Sequence, residues 1–142
     1  MTIYPGGCRC GNVAVAFETG VAPETMQVRE CQCSFCLSHG AAYTTDPRGS
    51  VTIRILDKSK VNRYEFTGLE KSAGFLCCTE CGVYVGAVAD SEGRTFAAIN
   101  IRWIPDLAGR ITAAIPMDYS AESKEDSRQR QLAKWTPAAI EA

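Results

Sequence analysis

Cys78-Thr79-Glu80-Cys81-Gly82 is the stretch that we expect to decide the fold of this 142-residue chain. In a C-x-x-C turn two thiolates converge on one point, and a following glycine permits the positive φ that such a turn often needs. The pair therefore supplies half of a tetrahedral zinc site. The other half is expected from Cys8-Arg9-Cys10-Gly11 near the N-terminus, which would clip the two ends of the core together. A site closed by four cysteines is structural, and its ion contributes directly to the free energy of folding.

The eight cysteines of the chain are grouped rather than scattered, in three clusters: Cys8 and Cys10; Cys31, Cys33 and Cys36; Cys77, Cys78 and Cys81. The first residues, MTIYPGGCRC, have no basic region followed by an apolar stretch, so we expect no secretory signal and a cytoplasmic location. Thiols stay reduced in that compartment, and close pairs of cysteines suit a single metal ion. We therefore interpret at least seven of the eight cysteines as metal ligands and not as disulfide partners.

The middle cluster, Cys31-Gln32-Cys33-Ser34-Phe35-Cys36, differs because three thiolates lie within six residues with no fourth cysteine nearby. Three protein ligands and one open position are the coordination expected of a catalytic zinc. A thiolate-rich ion with an open position favours a soft ligand such as a substrate thiol. The fourth ligand could instead be His39 or Cys77, and the order of the chain excludes neither. The cluster could also hold no metal, and a C-x-C-x-x-C segment can then form an internal disulfide.

Cys77 and His39 each have a simpler interpretation than metal binding. In an extended segment adjacent side chains point to opposite faces, so Cys77 and Cys78 should not bind the same ion. A free cysteine is often a small buried hydrophobic residue, which is how we interpret Cys77. His39, the only histidine, lies in SHGAAY and is interpreted as a polar loop residue rather than a general base.

Five segments alternate apolar with polar or small residues, or are rich in β-branched and aromatic residues, and are predicted to be strands. They are Asn12–Glu18, Val51–Leu56, Val61–Phe66, Cys81–Ala89 and Arg94–Trp103. Turn-forming residues separate them. We therefore predict a mainly β domain over residues 1–119, in which short irregular connections carry the metal clusters.

The character of the chain changes after Met117. The segment 120–134, SAESKEDSRQRQLAK, is polar and charged and has no apolar stripe that a helix could bury. We predict a polar C-terminal tail over residues 120–142. It is either a docked or solvated helix begun by Ser120 or a loosely docked, disordered segment. Trp135 is the residue expected to anchor this tail to the domain.

The composition limits the partners that the protein can have. Lys and Arg number 15 against 16 Asp and Glu, a net charge of -1, and no cluster of basic and aromatic residues occurs. The chain is therefore not expected to bind nucleic acid. No stretch approaches the roughly 20 apolar residues that a membrane helix requires, so no membrane partner is expected.

Several stretches together resemble the glutathione-dependent formaldehyde-activating enzyme family, which shares its domain with centromere protein V: GGCRCGNVAVAF, ECQCSFCLSHGAAY, RYEFTG, FLCCTECG and INIRW. The resemblance runs from about Gly6 to about Trp103 and implies a single zinc-stabilised, β-tent-like domain of small coiled antiparallel sheets. The ligands that it implies are, for a structural zinc, Cys8, Cys10, Cys78 and Cys81 and, for a second zinc, Cys31, Cys33 and Cys36. Gln32 stands where the family often has a histidine, which leaves the metal ligands intact.

The resemblance also implies an activity, the reversible addition of glutathione to formaldehyde to give S-(hydroxymethyl)glutathione, and hence a carbon–sulfur lyase. The open zinc position would bind the substrate sulfur as a thiolate, since coordination to a divalent ion lowers the pKa of a thiol. Glutathione is the expected partner, and Arg9, Lys71 and Arg102 are candidate contacts for its carboxylates. The alternative is a zinc-stabilised module that has a binding or structural role without chemistry.

Overall fold

Eleven strands and three α-helices are formed by the residues that the computed structural model describes, which are 1–65, 73–110 and 113–142. The strands are β1 (Thr2–Gly7), β2 (Val13–Thr19), β3 (Arg29–Cys31), β4 (Tyr43–Thr44), β5 (Ser50–Ile55), β6 (Val61–Tyr64), β7 (Gly74–Cys78), β8 (Tyr84–Ser91), β9 (Arg94–Asn100), β10 (Ile115–Met117) and β11 (Thr136–Glu141). The helices are α1 (Ser34–His39), α2 (Pro105–Ala108) and α3 (Lys124–Lys134). Among these residues, no helix is both long enough and apolar enough to cross a membrane.

The strands join into one mixed sheet that branches at β9. A first arm runs from β9 through β11, β5 and β2 to β1, a second runs through β8 and β7 to β6, and a third runs through β4 and β3 to β10. The pairings are antiparallel except for β10 with β3 and β11 with β5. The prediction of a mainly β fold is confirmed, with the difference that its strands form one connected sheet where small antiparallel sheets were expected.

Burial alternates along β2 and β5, which form one side of the core. Val15 faces Ile53 across the antiparallel pair, and both side chains are buried, whereas the residues between the buried positions of β2 are partly or fully exposed. This period of two is the pattern from which both strands were predicted, and the prediction is confirmed. The other three predicted strands appear as β6, β8 and β9, of which β6 and β9 end earlier than predicted and β8 is shifted towards the C-terminus, from Cys81–Ala89 to Tyr84–Ser91. Phe66, at the end of the first of these three predicted segments, lies outside the described residues.

The central strands β8 and β9 are buried for most of their length. Two apolar clusters pack against them. The larger cluster contains Ile53 and Cys78, and the second contains Phe75 and Tyr84. The second cluster is the one that borders the middle group of cysteines, because Cys36 belongs to it.

The C-terminal residues complete the sheet. α3 begins at a capping box, in which the Ser123 hydroxyl accepts a hydrogen bond from the Asp126 N–H and the Asp126 carboxylate accepts one from the Ser123 N–H. The helix buries Ser127 and Gln131, which explains why its sequence has no apolar stripe. Trp135 is 8% exposed and leads directly into β11, which lies between β5 and β9. A docked helix was one alternative from the sequence, but its cap is Ser123 and not the expected Ser120, and the strand after it was not predicted.

Thr136 links the first residue of β11 to the rest of the domain. Its hydroxyl oxygen accepts a hydrogen bond from the Asp46 N–H at 2.8 Å, and both residues are buried. We expect Thr136→Val to lower the free energy of unfolding by about 1–3 kcal/mol, since a buried N–H loses its acceptor while the shape of the side chain is kept. Urea denaturation at a fixed zinc concentration measures this change.

The matched control is Thr52→Val on β5, where the side chain is half-buried. Its expected effect on the free energy of unfolding is within about 0.5 kcal/mol, as is usual for a surface substitution. Equal destabilisation by the two substitutions would contradict the linking role of Thr136.

Candidate metal centres

The structure brings together a group of four cysteines, called here the four-cysteine cluster: Cys8, Cys10, Cys78 and Cys81. Their sulfur atoms all lie within 4.8 Å of one another. The Sγ of Cys10 is 3.7 Å from that of Cys8 and 3.5 Å from that of Cys78. A tetrahedral zinc with Zn–S bonds of about 2.3 Å requires sulfur atoms about 3.8 Å apart. The type and the spacing of the donors therefore fit a metal ion such as zinc.

Two turns of similar construction present these cysteines. The Cys8 N–H donates to the Val13 carbonyl, and the Cys78 N–H donates to the Val83 carbonyl, each at 2.9 Å. Gly82 has a φ of 76°, in the region that glycine favours, as a C-x-x-C-G turn requires. In the first turn the Val13 N–H also donates to the Cys8 sulfur at 3.2 Å. An N–H bonded to sulfur stabilises the thiolate, which is the form that binds a metal.

The four-cysteine cluster joins two arms of the sheet. Cys8 follows β1, at the end of the first arm, and Cys78 is the last residue of β7 in the second arm. Both residues are buried, whereas Cys10 is exposed. Four sulfur donors complete a tetrahedron and leave no position for another ligand, so this arrangement suits a structural ion.

A second group, called here the three-cysteine cluster, consists of Cys31, Cys33 and Cys36, whose sulfur atoms also lie within 4.8 Å of one another. Cys31 ends β3, and Cys33 caps the N-terminus of α1, where its sulfur accepts a hydrogen bond from the Cys36 N–H at 3.4 Å. Hydrogen bonds from the thiols of Cys31 and Cys36 lower the pKa of Cys33. A thiolate is thus favoured at Cys33, as metal binding requires.

No fourth cysteine, histidine or carboxylate joins this group in the part of the chain that the structure describes. His39 is the last residue of α1 rather than a loop residue, and its Nδ1 lies 2.9 Å from the Phe35 carbonyl. Cys77 is half-buried on β7 next to Cys78 and belongs to neither cluster. Three sulfur atoms leave one of four tetrahedral positions for an external ligand.

Two buried tyrosines support the three-cysteine cluster. The Cys36 Sγ lies 3.1 Å from the Tyr43 hydroxyl oxygen, which lies 2.7 Å from the Tyr84 hydroxyl oxygen. Burial raises the pKa of both tyrosines, so both hydroxyl groups keep their protons. With a metal bound, the Cys36 sulfur would be a thiolate, and an arrangement in which Tyr84 donates to Tyr43 and Tyr43 donates to this sulfur satisfies all three groups. Hydrogen bonds of this kind orient a metal ligand and adjust its charge.

The three-cysteine cluster opens into a cavity of about 80 Å³. Apolar side chains of β7, β8 and β9 form one part of its wall. Polar side chains on or next to β3, β4 and α3 form another part. The polar residues of the wall other than cysteine are Arg29, Tyr43, Thr45, Tyr119, Ser127, Arg130 and Gln131. A molecule bound at the sulfur atoms would therefore lie close to two arginines.

The two arginines of the cavity differ in their partners. Arg130 forms a bidentate pair with the Glu122 carboxylate, at 2.8 and 2.9 Å, and its guanidinium lies 3.7 Å from the centre of the Tyr119 ring. Arg29 donates to the Thr45 hydroxyl, and none of the ion pairs among the described residues includes it. The charge of Arg130 is therefore compensated inside the protein, whereas that of Arg29 has no carboxylate partner in the described ranges.

The cations named from the sequence are not those of the cavity. Arg9 and Arg102 are exposed and do not line it, and Lys71 lies outside the described residues. Sequence reasoning missed Arg29, although a signal was present. Arg29 stands two residues before Cys31, and residues i and i+2 of a strand face the same side.

The hydroxyl of Tyr43 is expected to raise the metal affinity of the three-cysteine cluster. Tyr43→Phe removes the hydrogen bond to the Cys36 thiolate, so we expect the affinity of this cluster for zinc to fall by about 10-fold or more. A competition titration against a chromophoric chelator measures the change. Tyr4→Phe is the matched control, since Tyr4 is also buried but packs against Phe17 outside the cluster. An unchanged affinity in Tyr43→Phe would contradict the role given to the hydroxyl.

This chain is similar to known proteins in sequence family and in fold. The model of the glutathione-dependent formaldehyde-activating enzyme family matches residues 3–112, a range that contains both clusters. No curated protein matches the chain in sequence. A crystal structure of a Rhodobacter sphaeroides protein shares the fold, with a TM-score of 0.55 and 24% identity over 79% of this chain and 97% of that chain. Because the family match spans well over half of its residues, this chain belongs to the glutathione-dependent formaldehyde-activating enzyme family.

Proposed function

We propose that this protein is a zinc-dependent, carbon–sulfur lyase-like enzyme that forms or cleaves a thiol adduct of the S-(hydroxymethyl)glutathione type. The observation that carries the proposal is that three sulfur atoms, with no fourth ligand among the described residues, open into a cavity of about 80 Å³. Membership of the family supports glutathione-dependent formaldehyde activation. A purely structural site is normally closed by a fourth protein ligand, as the four-cysteine cluster is.

The two clusters would have different tasks. The four-cysteine cluster would hold a structural zinc, and the three-cysteine cluster would hold a second zinc beside the cavity. When bound there, zinc lowers the pKa of a coordinated thiol and so supplies a thiolate at neutral pH. Such a protein would work in the cytoplasm, where its own cysteines stay reduced.

The reaction is an addition that needs neither an oxidant nor a reductant. In the forward direction the substrate sulfur bonds to the carbonyl carbon of formaldehyde and the C=O π bond breaks. The proton of the thiol ends on the new hydroxyl oxygen. Cleavage is the reverse of these steps and returns the free thiol and the aldehyde.

The side chains of the cavity would position the reactants. The Tyr43 hydroxyl holds the Cys36 sulfur in place, while Phe75 and Trp135 form an apolar part of the wall. Exclusion of water by such a wall strengthens the electrostatic interactions inside the site. Gln131, whose Nε2 donates to the Ser127 hydroxyl, adds a polar side chain of α3 to this wall.

Cys33→Ser tests the proposal, because it removes one of the three sulfur ligands. We expect the interconversion of S-(hydroxymethyl)glutathione with glutathione and formaldehyde, followed by NMR exchange spectroscopy, to fall to the uncatalysed rate. The fold should be kept, since the four-cysteine cluster is unchanged and supplies the metal-linked folding energy. Circular dichroism of the variant checks this second expectation.

Cys77→Ser is the matched control, since Cys77 is a half-buried cysteine of β7 that belongs to neither cluster. We expect this variant to keep the activity of the wild type. Catalysis at the wild-type rate by a folded Cys33→Ser protein would exclude the proposed role of the three-cysteine cluster.

A further inference from the structure

Arg29 is a cation of the cavity whose charge the proposed function does not yet use. We infer that Arg29 recognises a carboxylate of the substrate, so that the cavity selects thiols that carry a carboxylate near the sulfur over neutral thiols. The inference rests on the proposed function and adds to it the residue that sets substrate preference.

The position of Arg29 suits this role. Arg29 and Cys31 are the first and last residues of β3, and both line the cavity. Residues two apart in a strand point to the same face and are separated by about 6.6 Å along it. A carboxylate held by the guanidinium would therefore lie within the length of a small molecule from the three sulfur atoms.

The partners of Arg29 leave donors available. A guanidinium carries five N–H donors, and Thr45 is the one acceptor that the described residues provide for that of Arg29. Arg29 is partly buried, and a buried charge is normally paired. Arg130, the other arginine of the cavity, has its charge and its planar face engaged by Glu122 and Tyr119. Arg29 is thus the arginine with capacity for an external anion.

A carboxylate is the anion that fits this donor best among those found on small thiols. Guanidinium and carboxylate groups form two parallel hydrogen bonds, which are stronger than bonds between neutral groups. A different role for Arg29 would be to balance the negative charge of the three thiolates. In that role Arg29 would affect the binding of every thiol equally. Recognition of a carboxylate would instead affect only the thiols that carry one.

The test compares two small thiols that differ in this feature, 3-mercaptopropionate and 2-mercaptoethanol. Isothermal titration calorimetry of the zinc-loaded protein gives the dissociation constant of each thiol, and the ratio of the two constants is the carboxylate preference. We expect this preference to fall by about 10-fold or more in Arg29→Gln, the usual size of a lost charge-assisted bond. In the same variant the dissociation constant of 2-mercaptoethanol should change by less than about twofold, because this thiol has no carboxylate that could bond to Arg29.

Arg48→Gln is the charge-matched control, since Arg48 is exposed and does not line the cavity, and it should keep the wild-type preference. An unchanged preference in Arg29→Gln, equal weakening of both thiols, or a wild-type protein that binds neither thiol would overturn the inference. If Arg29→Gln loses the preference but the wild type does not interconvert S-(hydroxymethyl)glutathione, the inference stands and the lyase proposal fails.

Discussion

Four sulfur atoms that must meet around one point tie together two arms of the sheet. Cys10 and Cys78 are 68 positions apart in the chain, and their sulfur atoms lie 3.5 Å apart. Bringing such distant residues together costs chain entropy, which a bound ion can offset, since the unfolded chain has no preformed site. The two turns have matching backbone hydrogen bonds, and each turn brings the sulfur atoms of its own pair of cysteines close together.

β7 carries this constraint from the four-cysteine cluster to the cavity. Cys78 belongs to the larger apolar cluster, whereas Phe75 and Cys77 contact the second. Side chains alternate between the two faces of a strand, so residues three positions apart, such as Phe75 and Cys78, point to opposite faces. Fixing Cys78 on one face therefore also fixes Phe75 in the cavity wall on the other. One strand thus connects the candidate structural site to the proposed catalytic site.

The spacing of the cysteines predicted which sulfur atoms lie close together within one turn, whereas the full ligand sets, including the pairing of Cys8 and Cys10 with Cys78 and Cys81, were implied by the family resemblance. The part of the cavity wall that α3 forms could not be predicted from the spacing of the cysteines. α3 buries Ser127 and Gln131, so its sequence has no hydrophobic period, and the place of β11 depends on strands far away in the chain. β3 has only three residues, too few for a sequence pattern to predict a strand there, so the two-residue spacing of Arg29 from Cys31 could be used only once the strand was known. The family match ends at residue 112, before α3 begins, so the wall that α3 forms lies outside the shared region.

We propose that this fold has two metal sites of different kinds, one closed by four sulfur atoms and one open to a cavity. Native mass spectrometry of the reduced, zinc-loaded protein, recorded at increasing concentrations of a chelator, distinguishes the two sites. We expect two zinc ions per chain that are lost in separate steps, with the more easily lost ion absent from Cys31→Ser. A single zinc per chain, or two ions lost together and unaffected by that substitution, would exclude two sites of different kinds.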